Sequence, residues 1–187
     1  MDYFHSKVSK ALKFLKRNKS SISLVFLGVL IFTFGAVNYY RVRILSFSGS
    51  PEATQKIGDR PTQIMIPSIK IDLPIDEGEI KDGIWQISYK NATHLRTSAN
   101  PGTAGNIVIY GHNKKAIFGN LPYLSIGQEI ILKTEGGELI KYQVYKKDFV
   151  GPDRVDLVSP TDFEELTIYT CWGLFDSQRV VIKAKTM

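Results

Sequence analysis

The stretch ELTIYTCWGLFDSQRVVIKAK, residues 165–185, contains two strongly β-forming runs and the only cysteine of the 187-residue chain. The runs LTIYT and RVVIKAK are rich in β-branched and aromatic residues, a composition typical of strands. The glycine and polar residues of WGLFDSQ, between them, are typical of a connecting loop. The pattern predicts two neighbouring strands, with Cys171 at the end of the first and Arg179 at the start of the second.

More short runs of this kind precede that stretch. TQIMI, SIKIDLPI, GIWQIS, GNIVIYGH, QEIILKT and ELIKYQVYKKDFV are separated by Gly, Pro and polar residues, and Gly136-Gly137 joins the last two as a predicted hairpin. KKAIFGNLPYL and SPTDFEEL each have room for a short helix only. Short strands at this density favour an all-β sandwich or barrel.

The N-terminal part is different, because residues 20–40 contain no charge. As a helix this segment spans about 30 Å, the thickness of a bilayer core. Six basic residues precede it and Arg41 and Arg43 follow it, which favours a cytoplasmic N-terminus. A cleaved signal peptide is the alternative, but Phe34 and Val37 interrupt the small residues that its cleavage site needs. We predict an uncleaved transmembrane signal anchor.

The chain is therefore divided into a basic cytoplasmic segment (1–19), the anchor (20–40), a linker (41–61) and an exported domain (62–187). The formal net charge is +6. Eight of the 24 basic residues and one of the 18 acidic residues precede Ile44, so the remainder is nearly neutral. The basic charge belongs to the membrane-facing N-terminus, and we expect a membrane lipid partner and no nucleic acid.

A single cysteine outside the cytoplasm is either a buried apolar residue or a reactive group. A thiolate nucleophile needs a partner that activates it. His112 ends a strong strand as Cys171 does, whereas His94 lies in a polar stretch that favours a surface or hydrogen-bonded role, and His5 lies on the cytoplasmic side. Arg179 is the predicted stabiliser of negative charge on a reacting carbonyl oxygen.

Other chemistries find little support in the sequence. Histidines and one cysteine at wide spacing make a zinc site improbable, and neither a phosphate-binding loop nor a G-x-S-x-G elbow is present. Four acidic residues are close in sequence and are interpreted as a solvated acidic loop: Asp72, Asp76, Glu77 and Glu79. We predict no metal site.

LTIYTC, residues 166–171, resembles the T-L-x-T-C strand signature of the sortases. NIVIYGH resembles their strand leading to the catalytic histidine, and Arg179 follows the cysteine after a short loop, as their arginine does. An anchor, a linker and a β domain in this order are also similar to the sortase layout. The resemblance covers residues 62–185, and the loop containing Trp172 is more similar to classes D and E than to class A.

This resemblance implies a closed barrel of about eight strands with one or two short helices. It also implies a membrane-bound cysteine transpeptidase that cleaves an LPXTG-like C-terminal sorting signal on exported proteins. Cys171 would form a thioacyl enzyme, His112 would act as acid and base, and Arg179 would stabilise the oxyanion or hold the peptide. The acceptor would be an amine of a cell-wall precursor or a pilin lysine. Three residues are assigned to substrate binding: Thr170, Tyr110 and Trp172.

No cofactor is required by this chemistry; some relatives respond to calcium, for which the sequence offers no convincing ligand cluster. Two alternatives remain open, namely a peptidase that transfers the same acyl group to water and a non-catalytic, membrane-tethered barrel that binds peptides. Four side chains between the two reactive strands are expected either to contact substrate or to cover the barrel: Lys114, Lys115, Phe118 and Tyr123.

Overall fold

Eight strands close into a β-barrel in this computed structural model, which describes residues 19–43, 46–53 and 58–187. The order around the barrel is β1-β2-β5-β6-β9-β10-β8-β7, and β3 and β4 form a separate two-stranded ribbon. The strands are β1 (Pro61–Ile66), β2 (Ile71–Gly78), β3 (Ile80–Lys81), β4 (Ile84–Trp85), β5 (Ala92–Leu95), β6 (Gly105–Tyr110), β7 (Glu129–Thr134), β8 (Leu139–Val150), β9 (Glu164–Trp172) and β10 (Gln178–Thr186). The predicted all-β barrel is confirmed, and so is the hairpin, since β7 and β8 pair antiparallel.

The barrel interior is filled by apolar side chains from alternate positions of all eight strands. On β9 these are Leu166 and Ile168, and on β10 they are Val180, Ile182 and Ala184. This period of two follows from the strand geometry, in which successive side chains point to opposite faces. The residues between them must therefore lie on the outer face of the barrel.

A second apolar cluster covers part of that outer face, and we call it the outer cluster: Phe47, Trp85, Leu95, Val108, Tyr110, Leu157, Val158, Tyr169, Cys171 and Val181. It combines outward-facing strand residues with Trp85 of the β3–β4 ribbon and with Phe47, which precedes the barrel. Phe47 lies in the predicted linker yet is only 2% exposed. Part of the segment before β1 therefore packs against the outer face of the barrel.

The short helical segments are single 3-10 turns, at Leu121–Tyr123, Val155–Val158, Pro67–Ile69 and Leu174–Asp176. The first lies within KKAIFGNLPYL, as expected, whereas SPTDFEEL, residues 159–166, contains no helical turn and leads into strand β9 instead. The expectation of a solvated acidic loop is also wrong. Asp72, Asp76 and Glu77 belong to strand β2 and not to a solvated loop. Each of the four acidic residues instead accepts a hydrogen bond or ion pair from a neighbouring chain segment, with donors Gln63, Asn91, His94 and Arg96.

The N-terminal helix α1 (Lys19–Arg43) covers the predicted anchor and belongs to a unit separate from residues 43–187. Its apolar side chains between Leu24 and Val37 are exposed. Within the described ranges, no helix meets the combination of length and apolarity needed to cross a membrane. The anchor therefore stays a prediction, and the basic segment before Lys19, with His5, lies outside the described residues.

Candidate active site

Three predicted reactive residues meet at the ends of adjacent strands. β9 lies between β6, which it pairs in parallel, and β10, which it pairs antiparallel. Tyr110 is the partner of Tyr169 in the first pairing, and Arg179 is the partner of Cys171 in the second. The Gly111 N–H donates to the Tyr169 carbonyl at 3.3 Å, so the β6 chain continues beside β9 and brings His112 level with Cys171.

The same three residues lie on one face of the barrel. Cys171 belongs to the outer cluster with Tyr169, two positions earlier on β9, because alternate residues of a strand share a face. Arg179 lies directly opposite Cys171 in the antiparallel pair, and directly opposed side chains project to the same side. His112 comes two residues after Tyr110, and the Asp176 carboxylate, in the turn that joins Cys171 to Arg179, acts electrostatically on both His112 and Cys171. The geometry therefore groups a thiol, an imidazole and a guanidinium on the outer face.

Burial dominates the electrostatics of Cys171, which is 1% exposed. Burial raises the pKa of its thiol to about 12, the Arg179 guanidinium opposes that rise, and the Asp176 carboxylate adds to it. A thiol in this environment is protonated at neutral pH. Its activation therefore depends on neighbouring groups that stabilise the thiolate, and Arg179 is the one that acts in this direction.

His112 is held by an aromatic ring that the sequence did not single out. The Tyr89 ring stacks on the imidazole, with centroids 5.7 Å apart and an interplanar angle of 24°. Burial and the Lys114 ammonium lower the pKa of His112, and Asp176 raises it. Nε2 of His112 is buried and has no hydrogen-bond partner among the described residues.

Arg179 is 2% exposed, and its guanidinium donates to backbone carbonyls. Nη1 donates to the Asp176 and Gln178 carbonyls, both at 2.9 Å, and Nη2 donates to the Ser46 carbonyl at 3.1 Å. An arginine held at both ends of its fork presents its charge in one fixed orientation. The orientation matters because charge stabilisation at a reacting carbonyl depends on preorganised donors.

The turn between β9 and β10 is strained and carries Asp176. Phe175 and Asp176 have φ values of +53° and +56°, in the left-handed region that non-glycine residues rarely occupy. Asp176 acts electrostatically on both Cys171 and His112. Asp176 was not among the predicted site residues, although its position in the short Cys171–Arg179 loop was a usable signal. Tyr89 had no such signal, because a lone tyrosine in a polar stretch is normally a surface residue.

The three residues assigned to substrate binding have different positions. The Thr170 hydroxyl is buried and donates to the Gly111 carbonyl at 2.8 Å, which ties β9 to the chain leading into His112. Tyr110 is fully buried, stacks on Tyr169 at 5.4 Å and donates its hydroxyl to the Gln86 carbonyl. Both hydroxyls therefore donate to backbone carbonyls. Trp172 is half-buried at the barrel end, with its ring 6.0 Å from that of Phe149.

The loop after His112 has one side chain that covers the barrel interior and three that face solvent. Phe118 is fully buried in the interior cluster, whereas Lys114 and Lys115 are exposed and Tyr123 is 70% exposed. His94 is fully buried and hydrogen-bonded, with Nδ1 2.7 Å from Glu77 Oε1 and Nε2 3.0 Å from the Ala99 carbonyl. The hydrogen-bonded interpretation of His94 agrees with this position, and the surface interpretation does not.

Comparison with known proteins gives consistent results. Residues 64–187, well over half of the chain, match the sortase domain family model. The chain is 28% identical over 124 residues to Sortase A of Bacillus anthracis; the match covers 64% of this chain and 56% of the relative, so this chain spans little more than half of that protein.

Solved structures with the same fold include two that are more than a quarter identical in sequence. A lid mutant of Sortase A from Corynebacterium diphtheriae is 29% identical, with a TM-score of 0.59 over 70% of this chain and 72% of that one. A Sortase D5 transpeptidase of Clostridium perfringens is 27% identical, with a TM-score of 0.59 over 70% of this chain and 82% of that one.

Proposed function

The chain belongs to the sortase family, and from that premise we propose that it is a cysteine transpeptidase acting on a C-terminal sorting signal of the LPXTG type. The observation that carries the proposal is the grouping of Cys171, His112 and Arg179 at three adjacent strand ends on one face. A barrel that only binds peptides has no need for these three groups in one place, and for that reason we favour the enzyme.

In the first half of the reaction the Cys171 thiolate attacks the carbonyl carbon of the scissile bond. The resulting oxyanion is stabilised by the Arg179 guanidinium. Protonated His112 then donates its proton from Nε2 to the leaving amine, the C–N bond breaks, and a thioester to Cys171 remains. The buried, unpartnered Nε2 supports this assignment.

In the second half an acceptor amine attacks the thioester and transfers a proton to neutral His112. The Cys171 thiolate leaves, and a new amide bond joins the exported protein to its acceptor. We propose a cell-wall precursor or a pilin lysine as acceptor, because both present a primary amine. No step of this sequence requires a cofactor, and the hydrolytic reaction differs only in using water at the second attack.

The pKa directions of Cys171 and His112 imply that the active form, with a thiolate and an imidazolium, is a minor species. Burial lowers the pKa of His112 and raises that of Cys171 to about 12, so between these two values most molecules hold a neutral thiol and a neutral imidazole. The form with thiolate and imidazolium is then a small fraction that does not change with pH across this interval. Its population falls on the acid side of the His112 pKa and on the alkaline side of the Cys171 pKa.

We also propose that the protein is a single-pass membrane protein with its N-terminus in the cytoplasm and its barrel outside. The uncharged segment at residues 20–40 and the preceding basic residues support this topology. The class, D or E rather than A, is proposed on the short loop between Cys171 and Arg179.

The experiment uses the full chain in detergent micelles with a panel of fluorogenic LPXTG-type peptides. Cleavage is measured with and without an added primary amine, and products are identified by mass spectrometry. Cys171→Ala is the matched variant. We expect amine-dependent ligated product and a peptide adduct on Cys171, both absent from the variant.

Two results would contradict the proposal in different ways. Cleavage without ligation, under any amine tested, would identify a peptidase that uses water. A folded wild-type chain that cleaves no peptide and forms no adduct would leave the barrel as a binding module.

A further inference from the structure

The segment Ser46–Gly49, which precedes the barrel in sequence, is bound to it through several hydrogen bonds. The Trp85 N–H donates to Ser46 Oγ at 3.2 Å, and Trp85 Nε1 donates to the Gly49 carbonyl at 3.2 Å. The Ser48 N–H donates to the Pro152 carbonyl at 2.8 Å. These contacts hold the segment at both ends, from strand β4 and from the turn after β8.

Phe47 anchors the middle of this segment in the outer cluster. Its ring lies 4.8 Å from that of Tyr169 at an interplanar angle of 68°, and 5.9 Å from that of Trp85. Such tilted and edge-to-face pairs are favourable arrangements of aromatic rings. With 2% of its surface exposed, Phe47 is as buried as the barrel core. The cluster that receives it also contains Cys171.

The Ser46 carbonyl connects this segment to the site, because it accepts a hydrogen bond from Arg179 Nη2 at 3.1 Å. The two bonds donated by Nη1 go to Asp176 and Gln178, within the strained turn next to Arg179 itself. Ser46 is 133 positions away in sequence. It therefore links the guanidinium to a segment outside the turn, far from Arg179 in sequence.

We propose that Ser46–Gly49 is a positioning segment for the reaction: the Ser46 carbonyl orients the Arg179 guanidinium beside Cys171, and Phe47 holds that carbonyl in place. The effect on peptide cleavage rests on the proposed function, whereas the effect on Cys171 does not. A covering strap that lifts away when substrate binds would have to expose Phe47, Trp85 and Tyr169 to water in each turnover. The free-energy cost of that exposure favours a segment that stays in place during the reaction.

The test replaces Phe47 by Ala in the full chain and measures alkylation of Cys171 by iodoacetamide as a function of pH. The charged or titratable groups described at this thiol or beside it are Arg179 from β10, Tyr169 from β9, Asp176 from the turn and His112 after β6. Arg179 favours the thiolate, whereas burial opposes it. Val158→Ala removes packing from the same outer cluster while Phe47 stays in place, and it therefore measures the effect of lost burial alone. We expect the alkylation midpoint of Phe47→Ala to lie at higher pH than that of Val158→Ala, and its peptide cleavage to lose roughly 10- to 100-fold in kcat/KM.

Three further variants separate positioning from general damage. Phe47→Leu keeps an apolar anchor and should retain most of the wild-type midpoint and cleavage rate. Phe163→Ala removes an aromatic ring that is 57% exposed before the start of β9 and should change neither. In an Arg179→Lys background, Phe47→Ala should add little further loss, because both changes act through one contact.

Thermal unfolding checks that each variant is folded. If Phe47→Ala does not fold, Ser46→Gly replaces it, since it removes the Oγ acceptor of Trp85 and should shift the midpoint in the same direction. A folded variant with unchanged midpoint and cleavage would overturn the proposal. Faster alkylation and faster cleavage would overturn it too, because the segment would then be covering Cys171. A wild-type chain that cleaves no peptide would contradict the proposed function, while the alkylation comparison would still decide this inference.

Discussion

Asp176 acts electrostatically on both Cys171 and His112. Its carboxylate raises the pKa of both Cys171 and His112, because a nearby negative charge favours the protonated form of each group. These two pKa effects have opposite consequences for the proposed reaction. A higher His112 pKa gives more imidazolium, which the proposed leaving-group step needs, whereas a higher Cys171 pKa gives less thiolate.

Replacing Asp176 by Asn tests this link at the residue scale. Since the carboxylate raises both pKa values, its removal should lower both. We expect the alkylation midpoint of Cys171 and the NMR titration midpoint of His112 to move to lower pH. Asp162→Asn is the control, because it removes the same charge from an exposed position before the start of β9. A shift of only one midpoint, or equal shifts in the control, would show that Asp176 does not couple the pair.

Lys114 acts on His112 in the opposite sense. Its ammonium lowers the pKa of His112, and it lies 5.9 Å from the centre of the Tyr89 ring that stacks on the imidazole. Lys114→Gln should therefore raise the NMR titration midpoint of His112 and extend imidazolium formation to higher pH. Lys115→Gln, an equivalent change at the adjacent exposed lysine, should have a much smaller effect. Equal shifts in the two variants would indicate a general field and not a local contact.

At the scale of elements, the parallel pairing of β6 with β9 decides the site. Gly111 is where the two strands separate, and its position leaves no room for a side chain. A Cβ there would lie 2.8 Å from Phe118 Cδ2 and 2.9 Å from Ile117 Cγ2. The Thr170 hydroxyl bonds to the Gly111 carbonyl at the same point. The glycine therefore allows the loop after His112 to pack directly against the strand end.

Gly111→Ala should push this loop away and displace His112 from Cys171. We expect a loss of stability of about 1–3 kcal/mol from overpacking and a fall in kcat/KM of roughly 10- to 100-fold from misplacement. Chemical denaturation and peptide cleavage measure the two effects. Gly35→Ala is the matched control, because a Cβ at Gly35 meets nothing within 4 Å. Unchanged cleavage in Gly111→Ala would mean that the loop position does not set that of His112.

β9 and β10 are also joined by a buried ion pair on the outer face. The Lys183 ammonium donates to the Glu165 carboxylate, which also accepts from the Tyr145 hydroxyl. The side chains of Lys183 and Glu165 are 11% and 2% exposed.

Lys183→Met should leave the Glu165 carboxylate buried without its cation, at a cost of about 3–5 kcal/mol in the free energy of unfolding. Replacing Glu165 by Leu in the same chain should recover much of that loss, because both charges are then gone. Arg60→Ala breaks an exposed pair with Glu135 and should have little effect. Denaturant unfolding of the variants checks this, and a Lys183→Met variant as stable as wild type would refute it.

At the scale of the whole molecule, the chain combines a neutral barrel with a basic, apolar N-terminus. We expect the full chain to remain in the membrane fraction after carbonate extraction and its barrel to be accessible to protease from outside intact cells. Val29→Arg with Phe32→Arg should release it, since each charge costs about 2.5–3.5 kcal/mol at a helix centre in the membrane. Asn113→Arg with Ala116→Arg adds the same charges to an exposed loop and should not. Release of the wild-type chain by carbonate would contradict the proposed topology.

The sequence by itself determined the elements and the chemical candidates. Strand periodicity is a local property, so the patterns of LTIYT, RVVIKAK and NIVIYGH were enough to predict an all-β sandwich or barrel and to locate Cys171, His112 and Arg179 at strand ends. The resemblance to sortases set the barrel closure and the expected roles. Local patterns, however, contain no information about which strands become neighbours across long stretches of chain.

The tertiary structure alone decided what surrounds the three residues. It paired β6 with β9 in parallel, although β7 and β8 lie between them in sequence, and so brought His112 beside Cys171. It also placed Phe47 in the outer cluster and the Ser46 carbonyl on Arg179, and it turned the Thr170 and Tyr110 hydroxyls toward backbone carbonyls. These contacts depend on closure of the barrel and on burial, which are properties of the whole chain and not of any short stretch.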